Sequence, residues 1–293
     1  MVRGCSHRVV HCCRAVSRKT QSQRLVWWVV GSLLFTSAQA FEESGHIMVA
    51  QLTMPMLTEG ARVEIKRLYG DDWLREVVSR AAMVQTELNR PKNQYQQPLQ
   101  VTLFGPDDKG FDAEKHCPKN ACSVAAILES RQVLMSSGFS DADKRQALLY
   151  LMHYMVQLHI PLNCGLIRDQ GGQKIYLKDD ALQPVNFSWI WNHDLYRREN
   201  KRWFTYAQEL YRDMAKLDTQ AWAKTLSVAD WAFESHTIAL QEVYPEAVEG
   251  RYSASLIKKG QKLMEQQLMK AAFRTAALLN DMFPEPEEEK SMN

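Results

Sequence analysis

The stretch from Asp141 to Ile160 constrains this fold more than any other part of the chain. Ser140 and Asp143 stand three apart, as a capping-box variant does at a helix start. Beyond Arg145 the run Gln146-Ala-Leu-Leu-Tyr-Leu-Met-His-Tyr-Met-Val-Gln-Leu is apolar on nearly every side. A helix without a polar face must be surrounded. Residues 141–160 are therefore expected to form a central helix with other elements packed around it. His153 and Gln157 lie four residues apart on it and share one face. A histidine and a carboxylate at that spacing can hold a metal ion, but here the second position carries an amide. Zinc prefers thiolate, imidazole and carboxylate ligands.

The rest of the chain is patterned for helices. Segments 46–58 and 59–69 read as a pair, followed by 73–89, 124–135, 199–215, 219–225, 228–244 and 251–281. Residues 93–119 are loop-rich, with a short extended piece expected at Leu99–Phe104. A second loop, 165–186, centres on Gly171-Gly172, and an aromatic turn comes next at Trp189-Ile190-Trp191. With no internal repeat and no linker, the expectation is one all-α, mostly helical domain over residues 41–283. The acidic tail 284–293 is expected to be disordered.

The first 40 residues stand apart. They hold six basic residues and no Asp or Glu, then an 11-residue apolar run, Leu25–Phe35, and the ending Ala38-Gln39-Ala40. This is the pattern of a secretory signal peptide; an uncleaved anchor is the alternative, and the run is short for a bilayer. Cleavage would expose Phe41 as the N-terminal residue and leave no stable membrane span. It would also leave 36 − 6 = 30 basic residues against 34 acidic, a net of −4. A mature chain of that charge has no overall pull on nucleic acid or anionic lipid. The expected destination is the periplasm or the exterior. Cys117 and Cys122 bracket a short Pro-containing loop, where a local disulfide suits an oxidising compartment and a metal pair lacks partners. Cys164 is left over, either buried or a free thiol.

Several motifs in order resemble the S1/P1 nucleases, secreted zinc enzymes related in fold to bacterial phospholipase C. Phe41-Glu-Glu-Ser-Gly45-His46 resembles that family's mature N-terminus. His153-Tyr-Met-Val-Gln157-Leu-His159-Ile-Pro161-Leu-Asn163 resembles its H-F-x-G-D-x-H-Q-P-L-H motif. Gly171-Gly172-Gln173 resembles its Gly-Gly-Asn loop, and Asn186-Phe-Ser188-Trp-Ile-Trp191-Asn192 its N-L-H-x-x-W-D motif. Trp231-Ala-Phe-Glu234-Ser235 matches W-A-x-E-S, and residues 271–280 resemble its closing A-G-x-R-L-A-x-x-L-N pattern. The resemblance also implies a Cys117–Cys122 disulfide.

The resemblance implies cleavage of single-stranded nucleic acid, with nucleotides as further substrates, by three zinc ions. Zinc lowers the pKa of a bound water and polarises the phosphate. Carried over by position, the ligands become the Phe41 backbone, His46, Gln85 (or Thr86), Gln100, His153, Gln157, Asn163, Ser188 and Asn192. Of the eight side chains only His46 and His153 keep ligand chemistry. Neutral groups relieve the repulsion that crowded carboxylates suffer without metal. Gln157, Asn163, Ser188 and Asn192 are accordingly expected to hydrogen-bond to one another. The expectation is a protein with catalysis impaired or lost and zinc reduced or absent. The alternatives are a working phosphodiesterase with one metal on Phe41, His46 and His153, aided by acids of the Asp107–Asp108 or Asp169 loops, or a pocket for a neutral ligand. Trp189, Trp191 and Tyr154 are candidates for base stacking, with core packing the alternative. His159 is expected to fix the end of the central helix, and Glu234 and Ser235 to pack or cap a helix.

Overall fold

The computed structural model describes residues 36–88, 100–195 and 202–285. The expected tail therefore lies almost wholly outside the described residues. The chain divides between Gln39 and Ala40, and the fold is that of the unit Ala40–Asn293. Its helices are α1 (Thr36–Thr53), α2 (Glu59–Tyr69), α3 (Trp73–Leu88), α4 (Ser123–Met135), α5 (Asp141–Leu158), α6 (Trp203–Met214), α7 (Val228–Ile238) and α8 (Ala254–Met282). The mostly helical fold expected from the sequence is the one observed.

α5 is the central helix. The Ser140 hydroxyl accepts from the Asp143 N–H, and the Asp143 carboxylate accepts from the Ser140 N–H, completing the capping box. From Ala147 to Leu158 every residue except Tyr150 is buried. A fully buried Leu or Met side chain stabilises by about 1.5–3 kcal/mol relative to exposure, so this helix is the main hydrophobic anchor. α4 packs along it, and α2, α3, α7 and α8 close the other sides.

The core has two parts. Leu148, Leu151, Met155 and Leu158 of α5 belong to one, with residues of α2, α3, α4 and α7. Val156 and Ile160 belong to the other, with Met48, Val49 and Leu52 of α1, Phe187, Trp191 and the middle of α8. α1 and α5 contribute to both, and His46, His153 and Gln157 lie on these two helices.

Helix ends obey local chemistry. The expected 46–58 helix ends at Thr53 and tightens into a 3₁₀ turn, Met54–Met56, because Pro55 has no N–H to donate. Thr58 then caps α2 through the Ala61 N–H. The expected 228–244 helix loosens into a π turn at Ala239–Val243. The aromatic turn at 189–191 is longer than expected: a helical turn, Phe187–Trp189, runs into a π turn, Ile190–Asp194.

Two strands, β1 (Tyr176–Lys178) and β2 (Pro184–Asn186), form an antiparallel hairpin inside the loop expected at 165–186. The 102–104 segment runs beside 163–167: Thr102 N–H donates to Asn163 O at 2.9 Å and Phe104 N–H to Gly165 O at 3.0 Å. Cys117 and Cys122 are joined in a disulfide. Gly171 has φ of 65°, and a Cβ there would collide with the Leu162 carbonyl oxygen. Gly171→Ala is expected to cost at least ~2 kcal/mol, combining left-handed strain with the clash. Urea unfolding measures it; a variant as stable as the parent would contradict the tight approach.

Candidate functional site

The residues carried over from the motifs fall into a connected group. His46 stands on α1, His153 and Gln157 on α5, Asn163 in the 3₁₀ turn after α5, and Ser188 and Asn192 on the helical run after β2. Asn186 sets the last of these in place. Its side-chain oxygen accepts from the Trp189 N–H at 3.0 Å, and its amide donates to Gln173 O at 2.7 Å. The run is thereby pinned to the Gly171-Gly172 loop.

The amides bond to one another. Asn163 Nδ2 donates to Gln157 Oε1 at 2.6 Å. Asn163 and Asn192 exchange amide contacts at 3.4 Å in each direction. Asn192 Nδ2 donates to Ser188 O at 2.9 Å and approaches Ser188 Oγ at 3.3 Å. Because Gln157 Oε1 is occupied by Asn163, its Nε2 faces His46 Nε2, at 3.5 Å. An amide nitrogen can only donate, so in a hydrogen bond between them the ring nitrogen is the acceptor.

The imidazoles are less well satisfied. The His46 and His153 rings lie 4.5 Å apart, tilted by 30°. His153 is 1% exposed, and among the described residues neither of its ring nitrogens has a partner; His46 Nδ1 also has none there. Burial lowers the His46 pKa to about 4. Burial, with the neighbouring His46, holds His153 well below the ordinary histidine value. Both rings are neutral at pH 7, the form a metal ion takes.

The remaining candidates separate from this group. Phe41 lies within α1, with His46 five residues on. The Gln85 side chain is outside the described residues. Gln100 is half-buried, two residues before the Thr102 N–H that binds Asn163 O. The proposed acids are engaged elsewhere. Asp169 is buried, accepting from the Gly172 N–H at 2.6 Å and the Tyr244 hydroxyl at 2.8 Å. Asp108 contacts Lys115, His116 and the Gly105 N–H. Burial opposes its charge, and these three partners outweigh that and hold its carboxyl below the usual range. Among the described residues, no group of three or more His, Cys, Asp or Glu side chains is placed to hold a metal ion. Tyr154 and Trp191 are buried at 1% and 2% exposure, so of the aromatic candidates only Trp189, packed beside His193, reaches solvent. Cys164 is a buried free thiol whose pKa burial pushes up.

Behind the site lies a second polar cluster. His159 Nδ1–H donates to Met155 O at 2.7 Å, which fixes the end of α5 as expected, and leaves Nε2 to accept from Arg274 Nη1 at 3.0 Å. Arg274 Nε donates to Trp222 O at 2.6 Å, its Nη2 binds Glu234, and its guanidinium sits 5.1 Å from the Trp231 ring centre. Lys270 holds the other Glu234 oxygen at 2.6 Å. Glu234 is thus an ion-pair residue and Ser235 a buried one. Sequence alone leaves Arg274 and His236 unassigned. His236 donates to Cys164 O at 2.9 Å and stacks on Phe104. Adjacency is the signal that could have found them: both stand in or beside the 231–235 and 271–280 motifs.

A sequence model described as S1/P1 Nuclease matches residues 41–284. The chain belongs to the S1/P1 nuclease family. It is 24% identical over 284 residues to Endonuclease 3 of Arabidopsis thaliana, covering 87% of this chain and 95% of that protein. To Nuclease S1 of Aspergillus oryzae it is 21% identical over 265 residues, 83% of this chain and 91% of that one. A shorter match, 30% over 122 residues, links it to Nuclease P1 of Penicillium citrinum, 41% of this chain and 40% of that one. This S1/P1-type chain has no described helix long and apolar enough to cross a membrane.

The described donor set does not fit a three-zinc centre. Among the described residues two neutral imidazoles, His46 and His153, stand with Gln157, Asn163, Ser188 and Asn192, whose neutral amides and hydroxyl bond to one another. Zinc sites are built from imidazole, thiolate and carboxylate.

Proposed function

We propose that this chain is an exported S1/P1-type protein that retains the nuclease fold and has lost three-metal phosphodiester hydrolysis. Its partners on this reading are single-stranded nucleic acid or nucleotides, held without being cut. The observation that carries the reading is the 2.6 Å bond from Asn163 to Gln157. Two positions that resemble metal ligands satisfy each other instead of pointing free lone pairs at a shared centre. Half-exposed Trp189, on the same helical run as Ser188 and Asn192, offers a base a stacking surface.

The decisive measurement uses protein beginning at Phe41, so that its amine is free. The expected result is less than one bound zinc per chain and no cleavage of single-stranded DNA or RNA with zinc supplied. About three zinc ions per chain with chelator-sensitive cleavage would overturn it.

One observation favours a second reading, a single-metal phosphodiesterase on Phe41, His46 and His153. Three ring nitrogens of the two buried histidines have no partner among the described residues. His153→Leu separates the readings. A buried polar atom without a partner costs about 1–3 kcal/mol, and an apolar replacement of similar shape removes that cost. Without metal the variant is expected to match or exceed the parent in stability. If His153 holds zinc, the variant loses both the metal and the stabilisation by added zinc that thermal melts would show in the parent.

A further inference from the structure

An apolar groove runs along the outer side of α1. It consists of two hollows of about 590 and 640 Å³ that share Gln51 and Leu74. Trp73 and Tyr211 line the first, Trp203 and Phe204 the second. The last three of these aromatics are each more than a third exposed.

Charge is unevenly distributed along it. In the second hollow the ions are paired locally: Arg75 with Asp72, and Asp71 with Lys66. The first hollow holds Arg62 and Arg212 and no acid. Arg62 donates to Pro55 O at 3.3 Å and Arg212 to Gln208 O at 3.4 Å, and neither makes an ion pair with a described residue. Two guanidinium groups beside an aromatic wall suit an acidic segment with apolar or proline residues among its carboxylates.

Such a segment belongs to this chain and leaves the body at the start of α2, the helix whose Arg62 lines the first hollow. The end of α8 is fastened to the start of α2. Asn280 accepts from the Thr58 N–H at 2.8 Å and donates to Met56 O at 3.0 Å. The Phe283 and Pro284 carbonyls press against Gly60, which has no room for a Cβ. Pro55 and Arg62, on either side of that junction in sequence, both line the first hollow. Beyond Pro284 the chain continues as Glu285-Pro286-Glu287-Glu288-Glu289-Lys290. From Pro284, five extended residues reach about 17 Å.

We infer that the acidic segment Glu285–Glu289 docks in the groove of its own chain, with carboxylates of Glu287–Glu289 on Arg62 and Arg212. The segment thereby covers the arginines and keeps other polyanions from them. This holds whether or not the chain hydrolyses nucleic acid.

The test uses the full chain and a synthetic peptide of residues 284–290, with binding read by calorimetry and tryptophan fluorescence. The triple variant Glu287→Gln, Glu288→Gln, Glu289→Gln should bind the peptide, with affinity falling as salt rises. The parent, its groove already filled, should bind it about tenfold more weakly or not at all. Arg212→Ala, at an exposed position that folding does not need, should reduce binding to the triple variant about tenfold. Failure of the triple variant to bind, or equal binding by parent and variant, overturns the inference. So does a parent that self-associates with rising concentration while the triple variant stays monomeric, since the segment would then sit on a second copy. An oligothymidylate that binds the parent through Arg62 and Arg212 as tightly as it binds the triple variant also overturns it.

Discussion

Acidification from pH 7 to pH 4 is expected to remove several kcal/mol of stability from this protein, most of it above the range in which its carboxylates titrate. The cause is buried neutral histidine. Burial lowers His46 to about 4. Burial, then the nearby Arg274, lowers His159 to about 3. In the unfolded chain both return to the ordinary value of 6.5. Between 6.5 and 4 the unfolded state therefore binds protons that the folded state refuses, and stability falls as pH falls. Each group contributes on the order of 3 kcal/mol over that window, and His153 acts in the same direction. Against a typical total of about 5–15 kcal/mol, this is enough to bring on unfolding. The carboxylates act later. Glu234, where burial raises the pKa but Arg274 and Lys270 lower it further, ends below its usual value. Its contribution is lost only below the unfolded Glu range. Urea unfolding at pH 8, 7, 6, 5 and 4 checks this. The midpoint should be flat above pH 7 and drop steeply below 6.5, with about one proton less of slope in His46→Gln. Stability that stays constant from 6.5 to 4 would mean these rings are open to water.

Arg274→Ala should be the most damaging single substitution in the second polar cluster. The guanidinium is 3% exposed and satisfies Trp222 O, His159 Nε2 and Glu234 together. Removing it leaves a carbonyl and an imidazole without their donor, and Glu234 with Lys270 alone. Breaking a buried pair from one side costs about 3–5 kcal/mol. For a chain of this size each kcal/mol is worth about 2–4 °C, so the melting temperature should fall by roughly 10 °C. Arg274→Lys should recover little, because one ammonium cannot reproduce the planar fork that meets three partners. Replacing both Arg274 and Glu234 by Met should cost less than Arg274→Ala alone, since the ion pair is then removed from both sides and Lys270, which is 20% exposed, can turn its ammonium to water. Thermal melts of the three variants decide it. A double variant as damaged as the single one would mean that packing on Trp231 dominates.

Much of the candidate site was legible in the sequence because its elements were fixed by local rules. The i,i+4 spacing placed His153 and Gln157 on one face, and the amide substitutions indicated mutual hydrogen bonding, which the Gln157–Asn163–Asn192–Ser188 chain displays. Other features depended on non-local geometry. The 165–186 loop contains a hairpin only because β1 and β2 find each other across the turn from Asp179 to Gln183. The aromatic turn extends to Asp194 because Asn186 caps it and a π turn carries it on. Three-residue strands and π turns leave no periodic signature to read.

Local rules along the chain dictate a central buried helix, its capping box, the helices around it and a set of polar side chains able to bond to one another. Periodicity, caps and residue chemistry are local properties, and they are written where they act. Only the tertiary structure decided which groups end up satisfied. It joined Arg274 to His159 and Glu234 across more than a hundred and about forty residues. It committed Asp108 and Asp169 to structural bonds and left the His153 nitrogens without partners. Satisfaction of a buried polar atom depends on what the folded chain brings within 3 Å of it, and that distance is set by packing, not by position along the chain.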